Sequence, residues 1–532
     1  MADQKLTFTK EPQGNLSELF SHLHLLRPDE EDEGTTYDNE IAASPIFTEA
    51  VRRHGQGQKR PLFSQYGLLG GQTNKMEKQN NMFTGSLTTA YKDPRIFHNV
   101  SAPSSVFICG SQGSGKSHSL SCLLENCLLP SEAGVLPHPL TGLVLHYDSF
   151  VSDAAAASPC EAANLASHSA VQVRVLCPPT NMVNIQSIYS RLPHVKVEQL
   201  QIDEQHLNTK RMLDLMAISS IQGGGMPLYL HVVTRILREL RIQQQTSRRA
   251  FNYAAFRRAL LSQDNMTPGQ MAPLQQRLDT LESFMVKRQV VEAAGVGPKQ
   301  NKATSSLPDK GNSWIPKAGQ LTIVDLSCPC VTPDAACALF NICVSLFLEQ
   351  DNNIGRVIGL DEAHKYMTQS EESASASLTE TLLSTIRLQR HLGTRVIIST
   401  QEPTVSPKLL DLCSITIVHR FTSPVWLRSL KQHLATDGML DNENHGSVVD
   451  VEDESSQPDL ERELLREILA LRQGEALLFS PNSIIDVSQR EGEGSREKSL
   501  GAIQLTKLGS RAIKIRVRKR MTQDGGRTVM AE

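Results

Sequence analysis

One segment constrains this chain more than any other. Val106-Phe107-Ile108-Cys109 is a short apolar run that leads directly into Gly110-Ser111-Gln112-Gly113-Ser114-Gly115-Lys116-Ser117. An apolar helical run, Leu120 to Leu129, follows. Glycine, four residues, then Gly-Lys-Ser, set between a strand and a helix, is the context a phosphate loop requires. The glycines let the backbone turn so that successive N–H groups face one point, and the helix N-terminus adds its positive end. Lys116 is then expected to reach the β- and γ-phosphates, and Ser117 to place its hydroxyl on Mg²⁺. A chance match in a Gly/Ser loop would lack both flanks.

The rest of the chain fits a core built around that loop. Strand-like runs occur at Ser105–Cys109, Gly142–Tyr147, Val171–Leu176, Leu321–Asp325, Val357–Leu360, Val396–Ser399 and Ile415–Val418. Most are continuously apolar and rich in Val and Ile, as in parallel strands covered on both faces by helices. Helical patterns between several of them predict an α/β fold. Val233, Ile236, Leu237 and Leu240 repeat at helical spacing, as do Met271, Leu274, Leu278, Leu281 and Met285. Thr267-Pro268 reads as a helix start. Leu460–Arg472 reads as a helix, Glu475–Phe479 as a strand, and Ala512–Val517, alternating apolar and basic, as an edge strand. Gly67 to Gln72 reads as a glycine turn.

These signals divide the chain. Residues 1–60 are expected to be a disordered tail, because Asp29–Glu40 is acidic and Arg52–Arg60 basic and glycine-bearing. The core is expected over 61–199 and 316–440, with a helical insertion and linker at 200–315. An acidic linker covers 441–459, and a helix, a strand and a basic tail cover 460–532.

Two strand ends carry the other chemistry. Val357-Ile358-Gly359-Leu360 ends in Asp361-Glu362. Asp361 is expected beside Ser117, holding a water on Mg²⁺. Glu362, one residue later, is placed to polarise the water that attacks a γ-phosphate. The run Gly393-Thr394-Arg395-Val396-Ile397-Ile398-Ser399-Thr400-Gln401 ends in hydroxyls and an amide, and Gln401 is suited to sensing the γ-phosphate or that water. Solvated acids, or a strand-end hydrogen bond to a loop, are the plain alternatives, and the upstream phosphate loop weighs against them.

The ordered set resembles the HerA/FtsK group of P-loop ATPases. The residues that carry the likeness are Asp361-Glu362-Ala363-His364-Lys365-Tyr366, Ser399-Thr400-Gln401-Glu402-Pro403, Val405-Ser406-Pro407-Lys408-Leu409-Leu410, His419-Arg420-Phe421, Leu321–Ser327 and Leu471-Arg472-Gln473-Gly474-Glu475-Ala476. The resemblance implies a RecA-like core with ATP and Mg²⁺, usually hexameric, with nucleotide at subunit interfaces. Many relatives act on DNA and others power secretion. It also implies an arginine supplied in trans to the γ-phosphate. Arg387-Leu388-Gln389-Arg390-His391-Leu392-Gly393 resembles the stretch that holds it, and both Arg387 and Arg390 match. Two neighbouring readings fail. Asp-Glu-Ala-His lies too far from the loop for the helicases that share those letters, and Gly67–Gln72 precedes the loop that a transporter signature would follow.

Composition bounds the partners. With 54 Lys+Arg against 57 Asp+Glu the net charge is −3, which excludes a histone-like protein but not a local basic patch. Such patches are Arg235, Arg238, Arg241, Arg248, Arg249, Arg257 and Arg258 in the insertion, and Arg511 to Arg527 at the C-terminus. No apolar stretch approaches the roughly 20 residues of a membrane helix, and Met1 to Lys10 has no apolar signal core. Ten scattered cysteines point to a reducing compartment, nucleus or cytoplasm. Cys328-Pro329-Cys330, Cys337 and Cys343 lack the partners of a zinc site. The expectation is an ATP-hydrolysing ring motor acting on DNA as a translocase or helicase-like enzyme. The alternative is a protein-remodelling ATPase or a nucleotide-dependent interaction module.

Overall fold

The computed structural model describes residues 37–58, 61–82, 93–149, 158–216, 228–248, 250–263, 267–294, 310–351, 353–367, 374–402, 405–433, 457–489 and 503–525. The acidic linker at 441–459 lies outside the described residues except for its last positions, as does most of the polar linker that closes the insertion.

The chain opens with β1 (Ile46–Thr48), β2 (Tyr66–Gln72) and β3 (Arg95–Asn99), which pair antiparallel in the order β1-β3-β2. The core strands follow: β4 (Ser105–Cys109), a short β5 (Gly134–Val135), β6 (Thr141–His146), β7 (Gln172–Cys177), β8 (Val195–Gln199), β9 (Gln320–Asp325), β10 (Arg356–Leu360), β11 (Thr394–Thr400) and β12 (Ile415–Val418). Excluding β5, they lie parallel in the order β12-β4-β11-β10-β6-β9-β7-β8. The C-terminal β13 (Glu475–Phe479) and β16 (Ala512–Val517) join antiparallel beyond β12 and connect this sheet to β2. β14 (Ile484–Gln489) and β15 (Ile503–Lys507) extend the far edge.

Every residue of β4, β6, β10, β11 and β12 is buried, as the continuous apolar runs predicted. One face of the sheet packs against α1 (Lys116–Leu128) through Leu120, Leu123 and Leu124. Close approach needs small residues: a Cβ on Gly359 of β10 would lie 3.1 Å from Val144 Cγ2. The other face holds α2 (Leu228–Ser247), α3 (Pro333–Leu348) and α4 (Ala374–Arg387) in one apolar core with the strands. α3 starts where Thr332 Oγ1 accepts from Ala335 N at 3.2 Å and Pro333 fills the first turn. The fold is thus of the expected α/β class: a mainly parallel sheet with helices on both faces and the glycine loop between β4 and α1. Helices from residues 209–293 pack into the same apolar core as the strands.

Three expectations are corrected. Residues 37–58 are folded, so a tail covering all of 1–60 is wrong. Ile41, Phe47 and Val51 are buried, and Phe47 stacks on Phe63 with ring centroids 3.8 Å apart. Of the charges that suggested disorder, Arg52 pairs with buried Glu49 at 2.6 Å, and Glu49 also meets Arg95 at 3.2 Å. Gly67–Gln72 is not a turn but most of β2. Its glycines make room, since a Cβ on Gly70 would sit 2.3 Å from Arg516 O. Nor is Ala512–Val517 an edge strand. It pairs on both sides, and Lys514 and Arg516 turn to Glu475 of β13 at 3.3 and 3.0 Å.

Candidate nucleotide site

The phosphate loop joins β4 to α1. Gly110, Gly113 and Gly115 have φ of +151°, +74° and +115°, backbone that side-chain-bearing residues rarely adopt. The loop is braced from the neighbouring strand. Ser111 N and Ser111 Oγ both donate to Arg420 O, at 2.9 and 2.8 Å, and Ser114 Oγ donates to Ser111 O at 2.7 Å. A Cβ on Gly110 would lie 2.6 Å from His419 Cβ, so the loop rests directly on the residues after β12. His419 is buried, and burial lowers its pKa to about 4, leaving a neutral ring. Its Nδ1 faces Glu475 O at 3.0 Å and so carries the proton. Its Nε2 then accepts from Ser119 Oγ in α1 at 2.9 Å. Gln112 and Gly113 face solvent, and a Cβ on Gly113 would meet nothing within 4 Å, so the cradle's mouth is open.

Lys116 points inward. Its Nζ donates to Ser111 O at 3.2 Å and lies 4.0 Å from Glu362 Oε1. Burial lowers the pKa of Lys116, while Glu362 and Asp361 oppose that. Burial raises the pKa of Glu362 and outweighs the charge of Lys116, the direction that suits a general base. Glu362 has φ +48°, an uncommon and strained backbone for a glutamate. His364 Nδ1 accepts from Gln401 N at 3.4 Å, and the Gln401 side chain favours the charged form of Glu362. The structure therefore brings Gly110 to Lys116, Asp361, Glu362 and Gln401 to one end of the sheet. Ser117 stands half-buried at the start of α1, in the same loop.

Strand register explains that convergence. Leu360 of β10 pairs with Ile398 of β11 and Leu145 of β6, so Asp361 stands between Ser399 and His146. Asp361 is buried, and its Oδ2 accepts from His146 Nδ1 at 3.1 Å. Burial alone would raise its pKa, but His146 outweighs it and the net shift is downward, so the carboxylate is charged. Its Oδ1 is buried with no hydrogen-bond partner among the described residues. A charged, orphaned oxygen beside a phosphate cradle suits a water on Mg²⁺, so the donor set fits the expected ion. His146, and Cys160 whose Sγ lies 3.6 Å from the same Oδ2, were not anticipated. The available signal was His146 itself, a polar residue ending an apolar strand that neighbours the acidic one.

Arg387 and Arg390 lie elsewhere. Both are exposed, at the start of β11 rather than its tip. Seven strand residues separate them from Gln401, about 20 Å at strand rise. Arg387 pairs with Glu380 at 3.4 Å. Neither can reach this subunit's own cradle.

A glycine-rich loop between a strand and a helix, beside an acidic strand tip on a parallel sheet, is the architecture of a P-loop core. No protein-family model and no curated protein sequence matches the chain. Among solved structures it is similar to VirB4 of Thermoanaerobacter pseudethanolicus, with 11% identity and a TM-score of 0.38 over 85% of this chain and 96% of that one. It is also similar to the genome packaging NTPase B204 from Sulfolobus turreted icosahedral virus 2 in complex with ATP-gammaS, with 10% identity, a TM-score of 0.25, and 76% and 97% covered. A third likeness is to the pCW3 conjugation coupling protein TcpA, with 8% identity, a TM-score of 0.26, and 86% and 66% covered.

Proposed function

We propose that the chain binds and hydrolyses ATP with Mg²⁺ and works as an oligomeric motor of the HerA/FtsK kind on nucleic acid. The observation that carries the hydrolysis is the meeting of Lys116 and Glu362 at the mouth of the loop, 4.0 Å apart. Loop N–H groups and Lys116 hold the phosphates. Ser117 and Asp361 hold Mg²⁺, which when bound neutralises charge on the phosphate oxygens. Glu362 takes the proton of the attacking water, and Gln401 orients Glu362. Arg387 or Arg390 acts on a neighbour's nucleotide, which requires a ring or filament.

The nucleic-acid half rests on the solvent face of α2. Arg235, Arg238 and Arg241 are exposed there at helical spacing against Glu239 alone, a stripe that can track phosphates. The C-terminal cations do not support it. Arg518 is buried against Glu125 at 2.8 Å, and Arg520 pairs with Glu161. That inward use favours, as the second reading, a motor that remodels a protein instead.

Steady-state hydrolysis by wild type and Lys116→Ala, with and without double-stranded DNA at two salt concentrations, separates these readings. Lys116-dependent turnover stimulated by DNA and weakened by salt supports the nucleic-acid motor. Lys116-dependent turnover indifferent to DNA supports the protein-directed one. Turnover independent of Lys116 overturns both.

A further inference from the structure

Behind the tip of β10 three unlike donor atoms converge. His146 Nδ1 lies 3.1 Å, and Cys160 Sγ 3.6 Å, from the same atom, Asp361 Oδ2. One donor atom from each of the three buried residues lies within 4.8 Å of the others. As a hydrogen-bond network this is unbalanced. Both donors crowd onto Oδ2, while Oδ1 of the same carboxylate is buried without a partner among the described residues. Buried carboxylates are ordinarily satisfied at both oxygens. An imidazole nitrogen, a thiol sulfur and a carboxylate oxygen within 4.8 Å of one another form a donor set that a cation can take.

Two of the three edges, 3.1 and 3.6 Å, are close to those of a tetrahedral zinc site. Zn–N and Zn–O of about 2.0–2.2 Å and Zn–S of about 2.3 Å, at tetrahedral angles, set the ligand-to-ligand edges at roughly 3.3–3.6 Å. Thiolate in the set selects zinc over magnesium or calcium, which prefer oxygen alone. An outer shell is in place: Cys160 N donates to Tyr189 Oη at 3.0 Å, and Tyr189 Oη donates to Asp325 Oδ2 at 2.7 Å. Asp325 Oδ1 in turn accepts from Ser327 N at 3.0 Å. Such bracing orients metal ligands.

We propose that His146, Cys160 and Asp361 form a site for a thiol-seeking divalent cation, Zn²⁺, whose occupation withdraws Asp361 from magnesium and slows hydrolysis. On binding, the Cys160 thiol and His146 Nδ1–H each lose a proton to solvent, and the thiolate and carboxylate balance the two positive charges. His146, then neutral, supplies a lone pair through Nδ1. Water or Asp361 Oδ1 fills the fourth position. The inhibitory half rests on the ATPase reading above; the binding half does not.

Co²⁺ is the probe, because it reports thiolate ligation by absorption and needs no nucleotide. Titration of the full chain is expected to develop a near-ultraviolet thiolate-to-cobalt band at one equivalent, discharged by Zn²⁺. Losing an outer-shell partner costs a metal site about 10–100-fold in affinity, so losing a ligand in Cys160→Ser is expected to cost more than about 100-fold and to remove the band. His146→Asn, which keeps a donor to Asp361 without an imidazole, is expected to weaken binding similarly. Cys330→Ser, at an exposed thiol elsewhere, and Lys116→Ala are expected to leave the band intact. No thiolate band in folded wild type, or a band that survives Cys160→Ser, overturns the site. For the second half, Zn²⁺ under excess Mg²⁺ should inhibit wild-type turnover and spare Cys160→Ser. Equal inhibition of both overturns the regulatory role, while the cobalt result stands independently of any turnover.

Discussion

Lys116 Nζ lies 4.0 Å from Glu362 Oε1, and the two side chains are only 3% and 16% exposed. A cation and an anion are held out of water at a separation too long for a tight ion pair. Burial depresses the pKa of the lysine and raises that of the glutamate, and the charge of each partner offsets that shift only in part. A triphosphate entering the loop would supply the charge that Lys116 lacks.

Removing that cation should therefore cost both function and stability. Taking away one partner of a buried pair leaves the other charge uncompensated. Lys116→Met is expected to melt below the wild-type temperature without nucleotide. It should lose the rise in Tm that ATP gives wild type, and turnover should fall at least about 100-fold, the scale for losing one charge-stabilising donor. Differential scanning fluorimetry with and without Mg-ATP, alongside phosphate release, reads all three.

Glu362 combines a catalytic position with a left-handed backbone, so its substitutions should separate chemistry from strain. Glu362→Gln is expected to bind ATP and not turn it over. Glu362→Gly should be just as inactive, yet more stable than Glu362→Ala by about 1 kcal/mol, the scale of the left-handed penalty for a residue with a Cβ. Urea denaturation of the pair checks the sign. Equal stability would mean that the backbone relaxes when the side chain is shortened.

The sequence made the chemistry legible where it was local. Gly110 to Ser117 and Asp361-Glu362 are short patterns whose chemistry depends on neighbours in the chain. The matching strands β4, β12, β13 and β16 run over the residues expected. What stayed hidden depends on partners far away in sequence. Glu49 looks like solvated charge until Arg95 folds beside it. Gly70 looks like a turn until Arg516, in another strand, explains why a Cβ cannot fit. His146 gains its role only because β6 lies beside β10, an adjacency set by the strand order rather than by the 215 positions between His146 and Asp361. The periodicity of Ala512–Val517 was visible, but its second pairing partner, β2, was not.

The C-terminal segment is a clamp rather than a free basic tail, and its stability should depend on acid. Glu125 of α1 is fully buried. It accepts from Thr522 N and Oγ1 at 3.0 and 2.6 Å, from Met521 N at 3.1 Å and from Arg518 Nη1 at 2.8 Å. Burial raises its pKa, but the Thr522, Met521 and Arg518 interactions outweigh it, so the folded value lies below 4.5. The sign follows: the folded state binds the proton less tightly than the unfolded state. The contribution is full above pH 4.5 and is lost as pH falls through the lower folded value. Wild type should lose more stability than Glu125→Gln as pH falls from about 5 to about 3, past the ordinary carboxyl value of 4.5. Truncation before Arg518, which strips partners from a buried carboxylate, should cost about 3–5 kcal/mol at neutral pH. Chemical denaturation across pH measures both, and a Glu125→Gln curve parallel to wild type would remove Glu125 as the source.

The position of Arg387 and Arg390 gives the sharpest test of assembly. Both are exposed, and the only ion pair that Arg387 makes among the described residues is the surface contact with Glu380. Surface pairs contribute about 0–1 kcal/mol, so alanine at either position should leave Tm almost unchanged. An arginine acting in trans contributes about 10³–10⁵-fold to phosphoryl transfer. The responsible substitution, Arg387→Ala or Arg390→Ala, should therefore be well folded and nearly inactive, and the other nearly wild type. Mixing the inactive arginine variant with Lys116→Ala then distinguishes trans from cis. The lysine variant offers an intact arginine to its neighbour, and the arginine variant offers an intact loop. In a shared ring, some interfaces recover both groups, and turnover should return to an appreciable fraction of wild type. If the mixture stays as inactive as its components while the subunits co-assemble, the arginine does not act across the interface.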